Sequence, residues 1–187
     1  IFEWTGGQPY LTQRLCDLVQ DVAMDEGRIS AEAGVARVRD LVEQHVLQNW
    51  QLQDDQSYLK TIQDRMLRQT RLTPRILEWY GQVLTRGEVK VPANDEAVTE
   101  LRLSGAVNKR GEMLRPFNLI CRSVFDLDWV TQELRKLRPY GATFDAWVAS
   151  GCRDNNYLLS GEGLREASAW AQKNSISDLD IRYLRES

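Results

Sequence analysis

A single histidine, three scattered cysteines and no apolar run near the ~20 residues that span a bilayer leave this 187-residue chain few of the usual chemical tools. Any Ser-His or Cys-His dyad would have to use His45, which lies among apolar residues in LVEQHVLQNW. A helix-packed or surface imidazole is the simpler reading. Cys16, Cys121 and Cys152 form no C-x-x-C pair, and structural zinc needs about four soft ligands at close spacing. The sparse, odd count fits a reducing cytosol. Cys16 and Cys121 fall on apolar helix faces and are expected as small core residues. No G-x-x-x-x-G-K-[ST] or G-x-G-x-x-G loop is present. The carboxylate pairs Asp54-Asp55, Asp95-Glu96 and Asp178 with Asp180 each fall at a helix start, where capping and the helix dipole already account for them. The chain is therefore expected not to be an enzyme by itself. A formal charge of −3 speaks against a general nucleic-acid binder, because counterion release rewards net positive charge. The chain opens on Ile1 rather than Met, which suggests a piece of a longer protein.

What is present is mostly helical periodicity. Leu11, Leu15, Leu18, Val19 and Val22 share one face of a helix over 9–26, which Gly27 should end. Ser30 can cap a second helix with Val35, Val38, Leu41, Val42 and Val46 as its stripe. Asn49-Trp50 breaks that pattern, and Asp54 or Asp55 restarts it with Leu59, Ile62, Met66 and Leu67. Thr73-Pro74 opens a fourth helix, with Thr as cap and Pro in the first turn. Its face is Ile76, Leu77, Tyr80, Val83 and Leu84, and Gly87 stops it.

Residues 88–125 change character. Val89 and Val91 alternate with Glu88 and Lys90 ahead of Pro92, a short half-buried strand. Asn94 can cap a helix carrying Val98 and Leu101. Ala106 to Lys109 and Met113 to Phe117 then flank a reversal at Arg110-Gly111, where glycine supplies positive φ. Asn118 can cap a short closing helix. Strand, helix, hairpin, helix is the order of a winged helix. Beyond it, helices are expected over 128–138, 140–150 with Phe144, Trp147 and Val148, 161–173, and 177–186 with Ser177 as cap. The fold class is mainly α, with three short strands.

A winged helix reads nucleic acid or contacts protein. The basic candidates for phosphate contact are Arg102, Lys109, Arg110 and Arg115. The helix before the hairpin, however, opens with Asp95 and Glu96 and carries Glu100, which phosphates would repel. A contiguous basic face across Arg102, Lys109 and Arg115 would favour DNA; a mixed one would favour protein contact. The other candidate is Thr5-Gly6-Gly7-Gln8-Pro9, the one glycine-rich turn placed before a helix.

The motifs WTGGQPYLTQ (4–13), NWQLQD (49–54), IQDRMLR (62–68), ELRLSGAV (100–107), LRPFN (114–118) and WVTQELRKLRPY (129–140) occur in one order. Together with ASAWAQ and SISDLDIRYL in the tail, they resemble the C-terminal part of the AAA-like ATPase module of cyanobacterial multidomain proteins of the STAND class. The resemblance implies a helical lid over 1–70, a winged helix over 71–138 and a C-terminal helical segment over 139–187. It places Gly7, Gln8 and Pro9 on the adenine and ribose side of a nucleotide. Glycine there lets the backbone approach the ligand and proline gives a rigid apolar contact.

The phosphate-binding loop, the Mg-binding acid and the hydrolytic groups of such a module would lie outside this chain. No cofactor is expected in it, and ATP or ADP with Mg is implied for the parent. The implied partners are the parent's own ATPase core and flanking effector or sensor domains, with self-assembly possible. Nucleic acid is disfavoured, and the location implied is cytoplasmic. Some relatives place a winged-helix histidine on the phosphates; residues 71–138 contain none, so that contact does not carry over. Two rival readings remain: a winged-helix DNA-binding regulator, and a protein-interaction adaptor whose nucleotide turn is vestigial.

Overall fold

The computed structural model describes residues 1–26, 31–48, 50–52, 57–68 and 71–187. The predicted helix stops and starts at Gly27, Ser30, Asn49 and Asp54 or Asp55 lie outside the described residues. A short α1 (Phe2–Thr5) leads into α2 (Pro9–Glu26) and α3 (Ala31–Val42). A π-helical turn (Glu43–Leu47) and a 3-10 turn (Trp50–Leu52) then precede α4 (Ser57–Leu67). Leu11 and Leu15, one turn apart on α2, are fully buried, as are Val42, Val46, Leu59, Ile62 and Met66. Each such side chain contributes roughly 1.5–3 kcal/mol of hydrophobic burial. Val35 departs from its predicted stripe and is 68% exposed. Cys16 is likewise exposed, because the buried seam of α2 follows Leu11 and Leu15; Cys121 is buried as predicted.

The centre of the molecule is α5 (Thr73–Arg86), whose apolar face Ile76, Leu77, Tyr80, Val83 and Leu84 is buried. It packs against α4, against α6 (Glu96–Ser104) and against α8 (Leu127–Leu137). Thr73 does not cap it: the N-cap is Leu72, and the Thr73 hydroxyl donates to the Leu67 carbonyl at 3.2 Å. Strands β1 (Val89–Lys90), β2 (Val107–Arg110) and β3 (Met113–Pro116) form an antiparallel sheet in the order β1-β3-β2. With α5, α6 and the closing α7 (Leu119–Val124) this is the expected winged-helix arrangement, with one helix between β1 and β2.

Three local corrections have physical reasons. The cap of α6 is Asp95 rather than Asn94, since its carboxylate accepts both Val98 N (3.1 Å) and the Trp79 indole N–H (3.0 Å). The hairpin reverses at Gly111-Glu112, with Gly111 at φ 60° and Arg110 still paired to Met113; glycine at the first central position is what a two-residue hairpin loop favours. The helix expected over 128–138 starts at Leu127, because Asp126 accepts from Trp129 N at 2.8 Å and so caps it.

One hydrophobic core runs from Leu11 to Val130, so the N-terminal helices and the winged helix share an interior. Its aromatic link is Trp50 on Phe125 (5.5 Å) and Phe125 on Trp129 (4.9 Å), both edge-to-face. A second, smaller core joins α9 (Gly141–Ala149), α10 (Gly161–Lys173) and α11 (Asp178–Glu186) around Tyr140, Phe144, Trp147 and Tyr183. Val148, predicted on that face, is instead partly exposed. Among the described residues no helix is long and apolar enough to cross a membrane.

Candidate functional site

The Thr5-Gly6-Gly7-Gln8-Pro9 turn is the joint between α1 and α2. Gly6 and Gly7 both take positive φ, 59° and 78°, which an L side chain adopts only with strain. Space also selects glycine. A Cβ on Gly6 would meet the Phe117 carbonyl oxygen at 3.0 Å, and one on Gly7 would meet the Phe2 ring at 2.8 Å. Gln8 caps α2, its Oε1 accepting from Leu11 N at 2.6 Å. The buried Thr5 hydroxyl accepts from Gly7 N (3.3 Å) and shares a hydrogen bond with Thr12 (2.9 Å).

The same turn is tied to the winged helix. Asn118 Nδ2 donates to the Thr5 carbonyl at 2.9 Å, while Asn118 Oδ1 accepts from Cys121 N at 2.7 Å and caps α7. One buried amide thus holds two segments 113 residues apart. Sequence reasoning assigned Asn118 as a cap; its second role was hidden because only the fold brings Thr5 beside it. Tyr80 completes the joint by donating its hydroxyl to the Cys121 carbonyl at 3.1 Å. Burial pushes the Cys121 thiol up to about 12, so it stays protonated and inert.

The backbone amides of the turn are used within it. Gly6 N donates to the Phe2 carbonyl, Gln8 N to the Thr5 carbonyl and Gly7 N to the Thr5 hydroxyl. Those amides are engaged and do not form a phosphate cradle. Gly7 and Pro9 are exposed, and the Phe2 ring lies against Gly7. Among the described residues no group of three His, Cys, Asp or Glu could hold a metal. His45 is exposed in the π-helical turn.

The four basic candidates do not form one face. Arg102 and Lys109 line a single cleft of about 300 Å³ beside α6. Lys109 pairs with Leu114 across the hairpin, whereas Arg115 pairs with Asn108. Alternation along a strand therefore puts Lys109 and Arg115 on opposite faces of the sheet. Arg115 is also ion-paired with Glu88, and Arg110 is exposed at the hairpin end.

A third place of interest lies where α5, α8, α9 and α11 meet. A cleft of about 510 Å³ there is lined by Leu134, Phe144, Val148 and Leu179, with Glu78 among them. Burial raises the Glu78 carboxyl above its ordinary value; Arg75, paired with it at 3.0 Å, opposes the shift. A carboxyl raised on folding contributes stability that is complete below its unfolded value, near 4.5, and is lost as pH rises through the folded value. Glu78→Gln should therefore be favoured over wild type most at pH 7, and the advantage should shrink as pH falls towards 4.5. Urea midpoints of both proteins across that range test this, and a pH-independent difference would refute it.

No protein-family model matches the chain. No solved structure matches it either. It is similar to an uncharacterised WD repeat-containing protein of Synechocystis sp., with 40% identity over 190 residues. That alignment covers all of this chain and 16% of the Synechocystis protein, so the chain corresponds to one part of a larger cyanobacterial protein.

Proposed function

We propose that this chain is a non-catalytic regulatory segment of a STAND-type ATPase, coupling nucleotide state to a rearrangement of domains and their protein contacts. The observation that carries the reading is the Thr5–Asn118 bond. The turn that resembles a nucleotide contact is joined to the winged helix through buried backbone and side chain. A displacement of Gly7-Gln8-Pro9 is thereby transmitted to α7 and the core behind it. A nucleotide held mainly by a core elsewhere in the protein supplies different affinities for closed and open states. This chain's own residues convert that difference into a position of the winged helix.

The similarity to a WD repeat-containing protein supports a multidomain setting. WD repeats build all-β blades, so in the Synechocystis protein they lie outside the mainly helical part matched here. Such a neighbour fits a sensor or effector that works by protein contact. The DNA-regulator reading is disfavoured by the separation of Arg115 from Arg102 and Lys109.

The test is calorimetry with ATP and ADP on this chain and on the full-length protein. The chain alone should bind either nucleotide no tighter than about 1 mM, equivalent to about 4 kcal/mol, and hydrolyse neither. Micromolar binding by the chain alone would overturn the assignment of the phosphate site to another domain. In the full-length protein Pro9→Ala should weaken nucleotide binding. An unchanged affinity would leave the adaptor reading in its place.

A further inference from the structure

We propose that the outer edge of β2 takes up an extended, acidic peptide segment of another protein, which adds to the sheet as a further strand beside α6. The proposal concerns protein contact alone and stands or falls apart from the nucleotide reading.

The sheet runs β1-β3-β2, so β2 has a strand neighbour on one side only. Its register shows which groups face outwards. Phe117 N donates to the Ala106 carbonyl at 2.9 Å, and the bonds of an antiparallel pair fall on alternate residues. Ala106, Asn108 and Arg110 therefore turn their backbone groups towards β3, opposite Phe117, Arg115 and Met113. Val107 and Lys109 turn theirs to the free edge. Pro116, which has no N–H, stands opposite Val107, where β2 takes no donor from it. Neither Val107 nor Lys109 has a backbone partner on that outer side among the described residues.

Those groups face a cleft. Val107, Asn108 and Lys109 line one side of a space of about 300 Å³, and Thr99, Arg102 and Leu103 of α6 line the other. Val107 is only 3% exposed, so its peptide groups are largely shut away from water while unpaired, a costly state. Asn108 Oδ1 is likewise a buried acceptor without a partner.

The cleft also defines its occupant. N–H and C=O groups alternating along an edge match an extended peptide backbone, which supplies both. A phosphate backbone brings acceptors only and would leave the Val107 and Lys109 carbonyls and Asn108 Oδ1 unmatched. Leu103, 63% exposed, offers an apolar contact at the rim. Elsewhere on the sheet Lys90 is paired with Glu112 (2.8 Å) and Arg115 with Glu88. Among the described residues Arg102 and Lys109 have no carboxylate partner, and no acid lines the cleft. That charge favours an acidic strand and rejects a basic one.

The probe is a blocked Thr-Leu-Thr-Glu-Thr-Glu peptide, whose leucine and glutamates share one face of a strand. Titrated into the isotope-labelled chain, it should move the amide resonances of Val107, Lys109 and Leu103 and slow solvent exchange of the two edge amides. N-methylating one alternate set of peptide amides should weaken binding at least about tenfold. Methylating the other set should not, since only one set faces β2. Lys109→Ala removes the cation and should weaken binding about threefold. Lys109→Pro also removes the edge N–H, at no cost to the β2–β3 ladder, and should weaken it at least about tenfold. Edge amides that do not respond, binding indifferent to both methylation patterns, or equal binding with lysine in place of glutamate would each overturn the proposal. So would shifts of these amides that grow with protein concentration in the absence of peptide, since a second copy would then be the occupant. Displacement of the peptide by duplex DNA would assign the cleft to nucleic acid instead.

Discussion

Asp180→Ala is expected to destabilise the protein by about 3–5 kcal/mol, the usual cost of removing one partner from a buried ion pair. Asp180 is fully buried and accepts from Arg138 Nη2 (2.7 Å), the Tyr140 hydroxyl (3.1 Å) and the Ser177 hydroxyl (2.7 Å). It is also the far half of the capping box that starts α11. The variant strands a buried guanidinium, leaves Tyr140 without its acceptor and frays the first turn of α11. Arg138 and Tyr140 lie at the junction between α8 and the C-terminal helices, so the loss should fall on their docking. Urea unfolding should show a lower midpoint, and hydrogen exchange should rise first in α9 to α11. Replacing both partners, Arg138→Met with Asp180→Leu, should recover the part of the loss that comes from the stranded charge, while Tyr140 and the capping box stay without their acceptor. A variant within about 1 kcal/mol of wild type would mean that water reaches Arg138 and substitutes for the carboxylate.

Asn118→Asp is the second large effect, expected at about 2–4 kcal/mol, the range for a buried polar group left facing the wrong partner. Aspartate keeps the oxygen that caps Cys121 N and replaces the amide that donates to the Thr5 carbonyl. Two acceptors would then face one another in a buried place. The cap of α7 survives while the tie to the glycine turn is lost. Asn118→Ala removes both bonds without setting a second acceptor against the Thr5 carbonyl, so beyond the lost tie it costs the N-cap, usually worth about 1 kcal/mol. In the full-length protein Asn118→Asp should leave intrinsic nucleotide affinity within a few-fold of wild type. It should uncouple nucleotide exchange from the conformational change, read as loss of the nucleotide-dependent shift in protease sensitivity. Equal stability of Asn118→Asp and wild type would remove the mechanical link proposed between the turn and the winged helix.

Much of the local structure was legible because it depends on neighbours in sequence. The stripe on α5, the strand at Val89, the caps at Asn118 and Ser177 and the order strand, helix, hairpin all follow from period and capping chemistry. The misreadings share one cause. Asp95 displaced Asn94 as cap because the Trp79 indole holds its second oxygen. Val35 left its stripe and Cys16 left the core because helical period sets which residues share a face, not how wide a face the neighbours cover.

The functional candidates divide the same way. The sequence by itself determined that the chain is mainly helical with a small three-stranded sheet, and that a glycine turn precedes its first long helix. Those properties reside in residue types and short spacings. Only the tertiary structure decided that Thr5 meets Asn118, that Arg138 and Tyr140 converge on Asp180, and that Lys109 and Arg115 face opposite ways. It likewise decided that Leu103 is exposed, with its carbonyl accepting from Arg65. Contacts between residues far apart in the chain, 113 positions for Thr5 and Asn118 and 42 for Arg138 and Asp180, leave no periodic mark in sequence. They exist because burial of two apolar cores brings those polar groups together, and a buried polar group must find its partner wherever the packing puts one.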